Sequence, residues 1–122
     1  MARILVCEDE PDILALITAR LEREGHELTT ATDGDAGLRL ALQERPDVVV
    51  LYWMMPGLTG VEVCAALRAH PDASRIRVLM LTARAQQSDI DAAYAAGADD
   101  FVIKPFRPGE LQQRIADLLA RA

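Results

Sequence analysis

The sequence predicts an α/β protein built as a doubly wound parallel sheet of five strands with helices on both faces. Short apolar runs of β-type residues alternate five times with stretches of helical spacing. The runs from Ile4 to Cys7, Val48 to Tyr52 and Val78 to Leu81 are unbroken and apolar, which is how strands covered on both faces read. Right-handed crossovers between successive strands place helices on the two faces.

The elements follow in order. A first strand from Ile4 to Cys7 leads into a helix opened by Pro11 and Asp12, with Leu14, Ile17 and Leu21 on its inner stripe. Gly25 suits that helix's C-terminus, where a left-handed residue ends the spiral. A second strand runs from Glu27 to Ala31. Asp33 and Gly34 then open a helix whose stripe is Gly37, Leu40 and Ala41. The third strand, Val48 to Tyr52, stops at the turn Pro56-Gly57, and Gly60, Cys64 and Leu67 mark the next helix. After the fourth strand, Val78 to Leu81, Ser88 opens a helix striped by Ile90, Ala93 and Tyr94 and ended by Gly97. A fifth strand from Phe101 to Ile103 precedes a last helix with Leu111, Ile115, Leu118 and Leu119 inward.

Length and composition narrow the function. The 122 residues suit one domain, 1–122, with 51% apolar and 26% charged residues. The net charge of −6 disfavours direct nucleic-acid binding and fits a protein that binds cations or meets basic partner surfaces. The longest apolar runs are strand-sized, so no membrane span is expected. The N-terminus enters a strand directly and does not read as a signal peptide, so the cytoplasm is the expected location. Cys7 and Cys64 lie in apolar stretches and read as buried small hydrophobes rather than a disulfide. The isolated His26 and His70 read as solvent-facing residues of helix-to-strand connections, not as metal ligands.

In an open α/β sheet the carboxyl ends of the strands carry the chemistry. Strand one ends in Glu8-Asp9-Glu10. Three consecutive carboxylates repel one another, and either a divalent cation or the positive end of a helix dipole offsets them. Strand four ends in Leu81-Thr82-Ala83, where a hydroxyl can donate to an anion or bond the local backbone. Strand five ends in Lys104-Pro105. The lysine can neutralise carboxylates or hold a phosphoryl oxygen, and Pro105 stiffens the turn and is a candidate for a cis bond. Each signal is weak alone. Together they share one crevice and suit Mg²⁺ with a phosphoryl group.

On these residues the chain resembles the receiver domains of two-component response regulators, of the chemotaxis-regulator kind. The matching segments are Ile4-Leu5-Val6-Cys7-Glu8-Asp9-Glu10-Pro11, Pro46-Asp47 through Met54-Met55-Pro56-Gly57, Gly60, Leu81-Thr82-Ala83, Ala96-Gly97-Ala98-Asp99-Asp100-Phe101 and Lys104-Pro105-Phe106. The resemblance spans the whole chain. It implies a flavodoxin-like (βα)5 fold with strand order 2-1-3-4-5. It also implies that Glu8, Asp9 and the backbone carbonyl of Met54 hold Mg²⁺, and that Thr82 and Lys104 contact phosphoryl oxygens. Phe101 stands at the family's switch aromatic, which follows Thr82 inward when the phosphoryl group arrives.

The implied partners are a sensor histidine kinase or phosphotransfer protein and an output domain or target. The output surface would be helix four, strand five and helix five, with Arg84, Gln86, Gln87, Asp91, Arg107, Gln112 and Arg114 on it. The same face could support a homodimer.

One position departs from the family. Tyr52 stands where the resemblance places the phosphoacceptor aspartate. A register shift brings only Leu51 or Trp53, and Asp47 opens the strand at the wrong end. A phenol ordinarily titrates near about 10, so it offers neither an acyl-phosphate oxygen nor an anionic metal ligand. The ring is expected to fill the crevice, weaken or displace Mg²⁺, and leave Lys104 free to pair with Glu8 or Asp9. Its hydroxyl would seek Thr82, Lys104 or solvent.

Two functions compete: a receiver disabled as a phosphoacceptor, and a constitutive interaction module that works without phosphorylation. No enzymatic activity is expected. A flavin-type carrier would need a phosphate-cradling loop after strand one, and Glu8-Asp9-Glu10 would repel phosphate there.

Overall fold

The computed structural model describes residues 2–83, 86–107 and 109–121. Its five parallel strands are β1 (Arg3–Cys7), β2 (Glu27–Ala31), β3 (Val48–Tyr52), β4 (Arg77–Thr82) and β5 (Asp100–Ile103), in the order β2-β1-β3-β4-β5. The helices are α1 (Pro11–Arg23), α2 (Gly34–Glu44), α3 (Gly60–Ala69), α4 (Gln87–Ala95) and α5 (Glu110–Ala120), with a 3₁₀ turn at Pro71–Ala73. This is the flavodoxin-like fold that the sequence predicts.

Side chains alternate across the sheet and build two cores. Leu5, Cys7, Val49, Leu51, Met80 and Phe101 face one way, onto Ala41, Val63, Cys64, Leu67 and Ala93. Ile4, Val6, Val48, Val50, Leu79, Leu81 and Val102 face the other, onto Ile17, Leu21, Leu111, Ile115 and Leu118. The unbroken apolar runs are thus strands buried on both faces.

β2 and β3 have the predicted bounds. β1, β4 and β5 each begin one residue earlier, and β4 runs one residue further, to Thr82. Arg3, Arg77 and Asp100 are polar, so hydrophobic pattern alone stopped short of them. Asp33 caps α2 as expected, accepting from the Ala36 N–H at 2.7 Å. Gly25 and Gly97 have φ of 87° and 107°, the left-handed backbone expected after α1 and α4.

Four expectations need correction. Ser88 does not open α4: the helix starts at Gln87 and its N-cap, Gln86, makes no side-chain cap bond. Tyr94 is not on the inner stripe, since it is 46% exposed while Ala93 is fully buried. His26 and His70 are half-buried rather than solvent-facing. His26 Nδ1 accepts from the Ala2 N–H at 3.1 Å, and His70 Nδ1 caps the 3₁₀ turn by accepting from the Asp72 N–H at 3.3 Å. Both cysteines are free and buried, as read. Among the described residues no helix is long and apolar enough to cross a membrane.

Candidate functional site

The carboxyl ends of β1, β3, β4 and β5 open on one crevice. Local structure fixes each end. The Glu8 N–H extends the ladder beyond β1 by donating to Ala31 O at 3.0 Å. The Trp53 N–H donates to Leu81 O at 3.0 Å, locking the end of β3 to β4. Gly60 lets α3 start hard against that end, because a Cβ there would lie 2.7 Å from the Tyr52 carbonyl oxygen. The Lys104 N–H donates to Thr82 O at 2.7 Å, which ties the residue after β5 to the last residue of β4. The Lys104–Pro105 peptide is cis.

The side chains meet at Lys104. Its ammonium donates to Glu8 Oε1 at 2.7 Å and lies 3.7 Å from the centroid of the Tyr52 ring. Glu8 has a fully buried side chain and Lys104 is 15% exposed. Glu8 Oε2 also accepts from the Glu10 N–H at 3.2 Å. Tyr52 is half-buried and packs against the core that contains Leu51 and Met80. Lys104 therefore pairs with Glu8 rather than Asp9, and it meets the face of the phenol ring.

Burial is the largest influence on Glu8 and pushes its carboxyl above the ordinary range. Hydrogen bonds from Lys104 and the Glu10 N–H and the charge of Lys104 pull it back, and Asp9 pushes it up again. The Lys104 pair and the Glu10 N–H thus offset part of the cost of burying the Glu8 carboxyl.

Asp9 supplies the polar atom left over. Its Oδ1 is buried and has no hydrogen-bond partner among the described residues. A buried carboxylate oxygen without a donor is costly, and a hard cation is the ligand that would satisfy it. The donor set therefore fits Mg²⁺ at Asp9. It is a reduced set, because Glu8 Oε1 is already engaged and no cluster of three or more metal-binding side chains is found among the described residues.

Thr82 ends β4 fully buried. Phe101 on β5 is 8% exposed and joins the same core as Met80. Met54 is 55% exposed, two residues beyond β3. Asp47 lies at the other end of β3, where its Oδ2 accepts from the Arg3 N–H at 2.9 Å.

A family model described as the response regulator receiver domain matches residues 4–116. The chain belongs to this family. Over 123 residues this receiver is 43% identical to the phosphate regulon transcriptional regulatory protein PhoB of Rhizobium meliloti, covering 100% of this chain and 54% of that protein. It spans about half the length of the curated relatives it matches.

Among solved structures, the receiver domain of the Pseudomonas aeruginosa sensor histidine kinase PA1611 matches with a TM-score of 0.90 and 31% identity, covering 98% of each chain. That receiver holds a magnesium ion in its active site cleft. The Vibrio cholerae chemotaxis protein CheY4 matches with a TM-score of 0.90 and 30% identity, covering 97% of this chain and 98% of that one. Function as a two-component receiver domain follows from this membership.

On the face formed by α4, β5 and α5, Gln86, Gln87, Asp91 and Arg107 are exposed, and Arg84 lies outside the described residues. Gln87 Nε2 donates to Asp91 Oδ1 at 2.8 Å. Gln112 and Arg114 are half-buried instead. Arg114 Nη1 donates to Asp100 Oδ1 and Oδ2 at 2.9 and 3.2 Å. Sequence reading missed that pair and also Arg68. The Arg68 guanidinium donates to Gly97 O, Ser74 O, Ile76 O and Asp99 Oδ2 at 2.9, 3.2, 2.6 and 2.7 Å. An arginine closing a helix was the only local signal for it.

Proposed function

We propose that this receiver is blocked as a phosphoacceptor because Tyr52 holds the acceptor position. The observation that carries the reading is the lysine latch: Lys104 is engaged by Glu8 and by the Tyr52 ring face at once. A lysine over the strand ends is the group that would otherwise meet a phosphoryl oxygen. Here its charge is already matched by a buried carboxylate and an aromatic face.

Glu8, Asp9 and the backbone carbonyl of Met54 are the groups that would hold Mg²⁺. The ion, when bound, neutralises charge on phosphoryl oxygens. Tyr52 adds no carboxylate to this set, so binding is weakened. Thr82 and Lys104 are the phosphoryl contacts and Phe101 the switch aromatic in this reading. A sensor histidine kinase or phosphotransfer protein is the upstream partner. An output domain or target is the downstream one, met through the face of α4, β5 and α5. Cytoplasmic signalling is the setting.

One observation favours the second reading, a constitutive interaction module. Thr82 is fully buried and Phe101 is 8% exposed, so the switch aromatic is packed inward. A fixed inward Phe101 would present one output face permanently.

Incubation with acetyl phosphate and Mg²⁺, followed by intact mass measurement, tests the proposal. This chain keeps its mass and a Tyr52→Asp variant gains one phosphoryl group. A phosphorylated Tyr52 in this chain would overturn the reading. An unmodified aspartate variant would show that the rest of the site is no longer that of an acceptor.

A further inference from the structure

The foot of the sheet, opposite the strand ends just described, carries a second polar cleft. It is an open groove of about 330 Å³ lined by Arg45, Arg75, Arg77 and Arg121, together with Asp47 and Asp72. That volume is in the range of small-ligand pockets. Pro46, Ile76, Leu118 and Leu119 form its apolar floor. Ile76 and Leu118 are buried.

The charge balance is unusual for this chain. The molecule has a net charge of −6, with 13 cationic side chains in all. Four of them converge on this one cleft against two carboxylates. Asp47 is committed to the Arg3 N–H at 2.9 Å. Asp72 holds Arg45 at 3.2 Å in an exposed pair, which contributes little to stability. Arg75 has no hydrogen-bond or ion-pair partner among the described residues. The cleft is therefore cationic on balance, in a protein that is otherwise acidic.

Backbone geometry adds an independent mark. Arg45 has φ 49° and ψ 63°, and it is the only non-glycine residue with positive φ among those described. Asparagine or glycine would hold that left-handed cap at lower cost. The strain is retained at a residue whose side chain reaches the cleft, as strain at ligand sites often is.

We propose that this cleft binds a small phosphate-bearing organic anion. Guanidinium groups pair with phosphate oxygens in planar, two-bond fashion, and several of them around one pocket favour more than one phosphate charge. The apolar floor takes the non-polar body of the ligand. β4 connects the two ends of the sheet, with Arg77 its first residue and Thr82 its last. The strand rise puts the cleft roughly 17 Å from the strand-end site. The cleft is therefore separate from Glu8 and Lys104.

A ¹H–¹⁵N NMR titration with ADP in metal-free buffer tests this, with adenosine as the phosphate-free control. ADP should give saturable shifts at the amides of Arg45, Asp72, Ile76 and Arg77, and adenosine should not. Arg75→Gln should weaken ADP binding about tenfold, the loss of one charge-assisted hydrogen bond. Arg45→Gly should weaken it too while raising the denaturant midpoint, because glycine relieves the left-handed backbone. A strain-relieving change that stabilises the fold yet lowers affinity separates a binding role from a structural one. Shifts centred on Lys104, equal shifts with adenosine, or variants that bind ADP unchanged would overturn the proposal.

Discussion

The Lys104 ammonium lies 3.7 Å above the centroid of the Tyr52 ring, and the same nitrogen donates to Glu8 at 2.7 Å. An aromatic face and a buried carboxylate thus share one cation. A cation held over a ring is stabilised by the ring quadrupole, by about 0.5–2 kcal/mol depending on desolvation. Phenylalanine keeps that face and leucine does not. Tyr52→Phe should therefore change stability by less than about 0.5 kcal/mol, whereas Tyr52→Leu should cost about 1 kcal/mol. Equal denaturant midpoints for the two variants would show that the ring face contributes nothing.

Tyr52→Asp should be less stable than this chain in metal-free buffer, by about 1 kcal/mol. The aspartate would add a third carboxylate beside Glu8 and Asp9 and remove the ring beneath Lys104. Urea midpoints measured in the presence of a chelator decide it, and a more stable aspartate variant would refute the argument.

Glu8 sets a pH dependence of stability. Its carboxyl is pushed above the ordinary value of 4.5, mainly by burial. As pH rises past 4.5, the unfolded chain releases its proton before the folded one does. Stability from this group is full below 4.5 and is lost as pH climbs through the raised folded value. The midpoint of this chain should therefore fall along that leg relative to Glu8→Gln, whose profile should lack it. Parallel profiles for the two proteins would contradict the assignment.

Both thiols should be inert in the folded protein. Burial pushes Cys7 up to about 12, with Asp33 adding to the shift. Burial also pushes Cys64 up to about 11, where Arg68 lowers it and Asp99 raises it. Ellman's reagent at pH 8 should find no reactive thiol in native protein and both on unfolding. A fast native reaction would mean that one of these cores opens.

The fold was legible because its signals are local and repetitive. Apolar runs in β1, β3 and β4 need two covered faces, and Gly25 and Gly97 need the left-handed backbone they adopt. The crevice was legible from order along the chain, since Glu8, Tyr52, Thr82 and Lys104 all follow from where strands end. Pair geometry was not. Choosing Glu8 over Asp9 for Lys104 depends on which carboxylate the fold buries. Arg68 joins α3 to residues up to 31 positions away, and no local pattern encodes such a bond. The start of α4 was not legible because its N-cap, Gln86, makes no side-chain cap bond, and Ser88, which has cap chemistry, lies inside the helix. The Thr59 and Glu62 capping box that opens α3 was missed, although its spacing is a local signal; only Gly60, Cys64 and Leu67 marked that helix.

The central claim is that Tyr52 leaves the site one carboxylate short and Lys104 latched in place. A calorimetric Mg²⁺ titration of this chain beside Tyr52→Asp tests it most directly. Restoring a third anionic ligand should tighten Mg²⁺ binding by about tenfold or more, as charge count sets affinity in such sites. Equal affinities for the two proteins would contradict the account.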